Sequence, residues 1–88
     1  MLDRTNSSPA ERITALVGQL LAKRSVQRPV ARDEDLTEAG LTSLDMVNLM
    51  LAVEAEFDVK IPDRDMTPAN FRTIARIDAL VSTLLSDR

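Results

Sequence analysis

The chain has 88 residues and a net charge of −3 at neutral pH, which leaves room for one domain with a modest hydrophobic core. It contains no Cys, His, Trp or Tyr, so it lacks the usual general base, the commonest zinc ligands and any disulfide. No stretch approaches the roughly 20 apolar residues of a membrane span, and residues 1–12 contain no apolar signal-peptide core. We therefore expect a soluble, cytoplasmic protein that is not inserted in a membrane and holds no metal.

The N-terminal part predicts a polar tail followed by a helix. Residues 1–7 are expected to form a disordered tail, and residues 8–88 a single domain. Ser8 suits a helix N-cap, with Pro9 at the first helical position and Glu11 three residues after the cap. Apolar residues then follow the spacing of an amphipathic helix: Ile13, Leu16, Val17, Leu20 and Leu21. Gly18 costs about 1 kcal/mol relative to Ala, and close approach of another helix would explain it.

The middle of the chain is acidic. Residues 33–59 hold eight acids and no base, which predicts a surface that repels nucleic acid and attracts basic proteins. Residues 25–42 are predicted to be a long connection that Leu36 and Leu41 fasten to the core. A connection of this length in a small domain is more often functional than not.

A second helix is predicted from Ser43 to about Phe57. One apolar stripe suits the core, and a second, formed by Leu44, Val47 and Leu51, is expected to lie partly exposed as a partner site rimmed by acids. The alternative is a helix buried on two sides. A helix N-terminus stabilises phosphate, so Ser43 is a candidate attachment point. Taken alone, Ser43 is better explained as an ordinary N-cap.

The C-terminal third predicts one short and one long helix. Thr67 is expected to cap a short helix that begins at Pro68, and Thr73 to cap the last helix, which starts near Ile74. No stretch shows sustained alternation of apolar and polar residues, so strands are not expected. The predicted class is all-α, a small four-helix bundle with three main helices and one short helix.

Two segments with a fixed spacing resemble the acyl carrier protein family: GLTSLD at residues 40–45 and FDVKIP at residues 57–62. The resemblance covers nearly the whole chain. It implies a bundle of the acyl-carrier type, with 4′-phosphopantetheine joined to Ser43 through a phosphodiester. The thiol of that arm would hold an acyl, aminoacyl or polyketide intermediate as a thioester and deliver it to separate enzymes. The chain would then be a carrier rather than an enzyme.

The resemblance also implies partners. These are a phosphopantetheinyl transferase, a cargo-loading ligase or synthase, and downstream transferases, all acting on a monomeric carrier. The docking residues by position are Leu44, Asp45, Val47, Asn48, Leu51 and Ala55.

The sequence departs from the family pattern in three places. Thr42 stands where the family usually has Asp, and Asn48 and Ala55 stand where carriers of fatty acid synthesis are typically acidic. The segment from Asp63 to Asn70 is slightly longer than in those carriers. These departures favour a specialised stand-alone carrier in lipid or secondary metabolite biosynthesis.

Three other functions compete with this reading. An unmodified helical adaptor could use the exposed stripe as an anchor. A nucleic-acid module is disfavoured because the basic patch of Lys23, Arg24, Arg28 and Arg32 lacks stacking aromatics. An enzyme is disfavoured because the candidate acids, Glu38 and Asp45, have no base or metal partner.

Overall fold

The computed structural model describes residues 8–26 and 28–86, and the predicted tail at residues 1–7 lies outside them. The described residues contain helices and turns but no strand, so the predicted all-α class is confirmed. None of these helices is long and apolar enough to cross a membrane. The elements in chain order are α1 (Pro9–Ala22), α2 (Leu36–Ala39), α3 (Ser43–Phe57), 3₁₀ turns at Asp63–Asp65 and Pro68–Phe71, and α4 (Ile74–Ser86).

Helix α1 begins as the sequence predicts. The Ser8 hydroxyl accepts a hydrogen bond from the Glu11 N–H at 3.2 Å, and the Glu11 carboxylate accepts one from the Ser8 N–H at 3.1 Å. This reciprocal cap satisfies two N–H groups that a helix start leaves unpaired. The buried face of α1 packs against α4 and α3 through Ile13, Val17 and Leu21.

The explanation offered for Gly18, close approach of another helix, is wrong. Gly18 is exposed, and a Cβ at this position would meet no atom within 4 Å. We therefore predict that Gly18→Ala raises the free energy of unfolding by about 1 kcal/mol, the difference in helix propensity. Urea denaturation at equilibrium measures the change.

Gly40→Ala provides the opposite control for this experiment. Gly40 follows α2 with a φ of 133°, where a side chain is strained, and its Cβ would lie 3.4 Å from Cγ2 of Val26. This variant should lose stability. A loss of stability in Gly18→Ala as well would contradict the open surface on α1.

The connection between α1 and α3 is more ordered than the sequence predicts. Asp35 caps the one-turn helix α2 by accepting hydrogen bonds from the N–H groups of Thr37 at 2.9 Å and Glu38 at 3.3 Å. Leu36 is fully buried and Leu41 is 3 % exposed, so both fasten the segment to the core as predicted. Helix α2 could not be predicted from the sequence, because one turn is too short to show periodicity.

The C-terminal elements complete the hydrophobic core against which α3 packs. Thr67 caps the turn that starts at Pro68, as expected, but the turn is 3₁₀ rather than α-helical. Phe71 ends this turn fully buried, and the turn contacts both α3 and α4. Thr73 accepts a hydrogen bond from the Arg76 N–H at 3.1 Å and so caps α4 as predicted. These contacts fix the position of α3, whose first residue, Ser43, lies at the surface.

Candidate functional site

Ser43 is the first residue of α3 and is exposed. The N-cap is Thr42, whose hydroxyl accepts a hydrogen bond from the Asp45 N–H at 3.1 Å. The Asp45 carboxylate in turn accepts one from the Thr42 N–H at 3.0 Å. The alternative that Ser43 is an ordinary N-cap is therefore wrong. The cap leaves the Ser43 hydroxyl unused.

Two backbone donors beside Ser43 remain available. The N–H of Met46 donates to the Thr42 carbonyl at 3.0 Å, and that of Asp45 is taken by the cap. Within residues 8–26 and 28–86, the N–H groups of Ser43 and Leu44 have no protein acceptor. Free donors at the positive end of a helix dipole stabilise a phosphate group.

Arg24, just after α1, holds the first turn of α3 in place through hydrogen bonds to Asp45 and Thr42. Its Nε and Nη2 donate to the two carboxylate oxygens of Asp45 at 2.9 and 3.0 Å, and Nη2 also contacts the Thr42 hydroxyl at 3.3 Å. Such a bidentate ion pair restricts both side chains to one geometry. From the sequence, Arg24 was predicted only as a member of a basic patch, because a partner 21 residues away leaves no local signal.

The prediction that Asp45 belongs to an exposed docking face is wrong. Asp45 is 6 % exposed, because its carboxylate is turned inward to Arg24 and the cap. The hydrogen bond from Arg24, followed by that from the Thr42 backbone, lowers the pKa of Asp45 from 3.8 to about 2. The same contact raises the pKa of Arg24.

This shift predicts acid sensitivity. Because the folded-state pKa of Asp45 is below its unfolded value, the ionised carboxylate stabilises the fold above about pH 4. That stabilisation is lost as the pH falls toward about 2. Asp45→Asn should therefore lower the melting temperature at pH 7 and make it less dependent on pH between about 4 and 2. Circular dichroism melts measure both effects.

Asp33→Asn is the matched control for the acid-sensitivity experiment. Asp33 is exposed, and no ion pair involves it in the part of the chain that the structure describes. Its replacement should leave the melting temperature and the acid dependence nearly unchanged. Equal effects of the two variants would contradict a special role for the Asp45 contacts.

Arginines from outside the acidic middle segment neutralise part of its charge. In the part of the chain that the structure describes, at least four of its eight acids form ion pairs with arginines that lie before or after it in the sequence. The pairs are Arg12–Glu56, Arg24–Asp45, Arg28–Glu34 and Arg72–Asp35. The prediction of an uninterrupted acidic field is therefore wrong for these four acids. Three of the four basic side chains of the patch are likewise paired, since Arg24, Arg28 and Arg32 each contact a carboxylate.

The second stripe of α3 is exposed, as the sequence predicts. Leu44, Val47 and Leu51 are 66, 49 and 55 % exposed. Asn48 and Ala55 are also exposed. Of the six predicted docking residues, the structure brings these five to the surface of α3, while Asp45 lies inside.

A groove of about 470 Å³ opens beside Ser43. It runs between α2, α3 and the segment around the two 3₁₀ turns, and most of its lining is apolar. The lining residues are Thr37, Ser43, Met46, Val47, Met50, Met66 and Pro68. Thioether side chains adapt their shape to varied contacts, so the groove suits a flexible group held at Ser43. No cluster of three potential metal-ligating side chains occurs in the described ranges.

Comparison with known families explains this geometry. A family model described as the phosphopantetheine attachment site matches residues 11–81. The chain belongs to this carrier protein family. It is therefore a carrier that binds 4′-phosphopantetheine, and a substrate-carrying partner of other enzymes rather than a catalyst. The match spans α1 through most of α4 and so includes the exposed serine.

Curated relatives are similar over most of this carrier. Aminoacyl carrier protein 1 of Bradyrhizobium diazoefficiens is 42% identical over 80 residues, which is 91% of this chain and 89% of the relative. The aminoacyl carrier protein of Agrobacterium fabrum is 34% identical over 80 residues, covering 86% of this chain and 96% of the relative.

A solved structure also matches the carrier. It is the crystal structure of Bradyrhizobium japonicum glycine:carrier protein ligase complexed with its cognate carrier protein and an analogue of glycyl adenylate. The matching chain has a TM-score of 0.77 and 40% identity, over 85% of this chain and 96% of its own length. A second complex, with glycylated carrier protein, matches with a TM-score of 0.74 and 39% identity.

The start of α3 fits the cofactor. The Ser43 hydroxyl is exposed and lies outside the cap, so it is available for a phosphodiester. The unpaired N–H groups of Ser43 and Leu44 can stabilise the phosphate, and the groove can receive the arm. The contact of Arg24 with Thr42 would help hold the first turn of α3 in place beside such an arm.

Proposed function

We propose that the chain carries an amino acid as a thioester on a 4′-phosphopantetheine arm attached to Ser43, and delivers it to separate enzymes. The observation that carries the proposal is the 40% identity, over 85% of the chain, to a carrier solved with glycine:carrier protein ligase. The exposed hydroxyl at the first position of α3 supports the attachment point. Glycine is the cargo that this likeness favours.

Three residues of the chain have separate roles in the attachment of the arm. Ser43 would supply the oxygen of the phosphodiester: its Oγ–P bond forms as the bond between the arm's phosphorus and the leaving group of the arm's donor breaks, and the hydroxyl proton passes to a base of the transferase. Thr42 and Asp45 hold the first turn of α3 in place, so the oxygen stays at the surface. The arm supplies the thiol that holds the cargo, which accounts for a carrier without any cysteine.

The proposal requires several partners. A phosphopantetheinyl transferase modifies Ser43, an amino acid:carrier protein ligase loads the arm, and downstream transferases receive the cargo. The exposed residues of α3 support docking of these enzymes: Leu44, Val47, Asn48, Leu51 and Ala55.

We further propose that the carrier acts as a cytoplasmic monomer. The aminoacyl names of the relatives favour this cargo over the fatty acids and polyketides that the sequence left open.

Loading of the purified carrier tests the proposal. The chain is first modified with a permissive transferase, then incubated with the Bradyrhizobium japonicum ligase, ATP and single amino acids. We expect a mass increase of one glycyl group that hydroxylamine removes, as it removes thioesters. Unmodified chain and Ser43→Ala are the controls, and neither should gain glycine. An arm-bearing chain that accepts no amino acid but is loaded by a fatty acyl ligase would overturn the assignment of the cargo.

A further inference from the structure

One arginine side chain holds both residues that cap α3. The guanidinium of Arg24 donates to the two carboxylate oxygens of Asp45 at 2.9 and 3.0 Å and contacts the Thr42 hydroxyl at 3.3 Å. The Asp45 carboxylate also accepts a hydrogen bond from the Thr42 N–H at 3.0 Å, so its charge lies at the N-terminal end of the helix. Ser43 lies between the two cap residues in the chain. Arg24 therefore controls the charge in the turn that contains the exposed serine.

The phosphate of an arm on Ser43 would add a second negative charge to this turn. A single carboxylate at the start of a helix is stabilising, because it complements the helix dipole. Two anions in one turn repel each other, and the repulsion is strong for Asp45 because this residue is only 6 % exposed and little water screens it. Asp45 would remain ionised at neutral pH without its partner. Pairing with Arg24 cancels the carboxylate charge and so removes the repulsion.

We propose that Arg24 neutralises Asp45 so that the start of α3 can accommodate the phosphate of the arm at Ser43. The inference rests on the proposed function and gives Arg24 a part in it. Arg24 acts on the phosphate through Asp45, so it is a positioning residue rather than a group that binds the arm. The ion pair between Arg12 and Glu56 cannot act in this way, because Glu56 lies 13 residues along α3 from Ser43, a rise of about 20 Å.

Melting temperatures of arm-bearing and arm-free protein test the inference in the wild type, Arg24→Gln and Arg12→Gln. Intact mass first establishes the arm on Ser43, so its absence would count against the proposed function alone. The melts are recorded at pH 7 and about 0.1 M NaCl, where the Debye length is about 10 Å. We expect the change in melting temperature caused by the arm to be less favourable in Arg24→Gln than in the wild type by about 3 °C or more. In Arg12→Gln it should match the wild type to within about 1 °C. A smaller difference in Arg24→Gln, or an equal one in Arg12→Gln, overturns the inference.

Removal of the carboxylate gives a result of opposite sign. Asp45→Asn leaves the charge of Arg24 unbalanced, so the arm should be more stabilising than in the wild type by about 3 °C or more. In the double variant with Arg24→Gln both charges are absent, and the effect of the arm should return to the wild-type value. A double variant that keeps the deficit of Arg24→Gln would show that Arg24 acts on the arm directly and would overturn the inference. If Arg24→Gln does not fold, the sign of the change in Asp45→Asn decides.

Discussion

Ser43→Ala is expected to abolish modification while leaving the fold intact. The substitution removes the exposed hydroxyl at the first position of α3, which takes no part in the cap, so no phosphodiester can form at this residue. Since Thr42, not Ser43, caps the helix, the free energy of unfolding should change by less than about 0.5 kcal/mol. Intact mass after incubation with a transferase, measured beside a urea titration, gives both results.

Two control variants make the Ser43→Ala result specific. Ser82→Ala removes a hydroxyl from the exposed side of α4 and should leave modification unchanged. Thr42→Ala should cost about 1 kcal/mol of stability through loss of the cap, yet still be modified at Ser43. Modification that persists in Ser43→Ala would contradict the assigned attachment point. A fold lost in Ser43→Ala would show that the hydroxyl has a structural role.

Phe57→Ala is expected to have the largest effect on stability. Phe57 is 5 % exposed at the end of α3, and the Arg12 guanidinium lies 4.5 Å from the centre of its ring. Truncation leaves a cavity and should cost about 3–5 kcal/mol. Arg12 would also lose its stacking surface, although its ion pair with Glu56 would remain. Urea denaturation followed by circular dichroism measures the loss.

Leu51→Ala is the matched comparison for Phe57→Ala, because it truncates a large apolar side chain on the exposed face of the same helix. Its stability should change by less than about 1 kcal/mol, whereas its binding to partner enzymes should weaken. The difference between the two variants separates the core stripe from the exposed stripe. If Leu51→Ala unfolds as readily as Phe57→Ala, the exposed face belongs to the core, and docking must occur elsewhere.

The local features of the fold could be predicted from the sequence. Ser8 and Pro9 fix the start of α1, and the stripe that ends at Phe57 gives the extent of α3. These signals are local because caps and helical periodicity involve residues at most a few positions apart. The position of Ser43 at the start of a helix was predictable for the same reason.

The electrostatics of the site could not be predicted in this way. Arg24 reaches Asp45 across 21 residues, and Arg12 reaches Glu56 across 44. Composition along the chain places these charges in separate segments, so the middle appears uniformly acidic until the fold brings the arginines onto it. The burial of Asp45 accompanies its long-range pairing with Arg24. The residue that caps α3 could not be predicted from residue type either, since Ser is at least as good an N-cap as Thr, yet Thr42 forms the cap.

The central claim is that Ser43 bears the phosphopantetheine arm, and the most direct test is the intact mass of the protein isolated from the cells that make it. Fragmentation of the peptide that contains Ser43 then locates any added group. We predict one 4′-phosphopantetheine per chain, on Ser43, with a fraction of the molecules carrying an amino acid that hydroxylamine releases. A chain found wholly unmodified, or modified at another residue, would contradict the account.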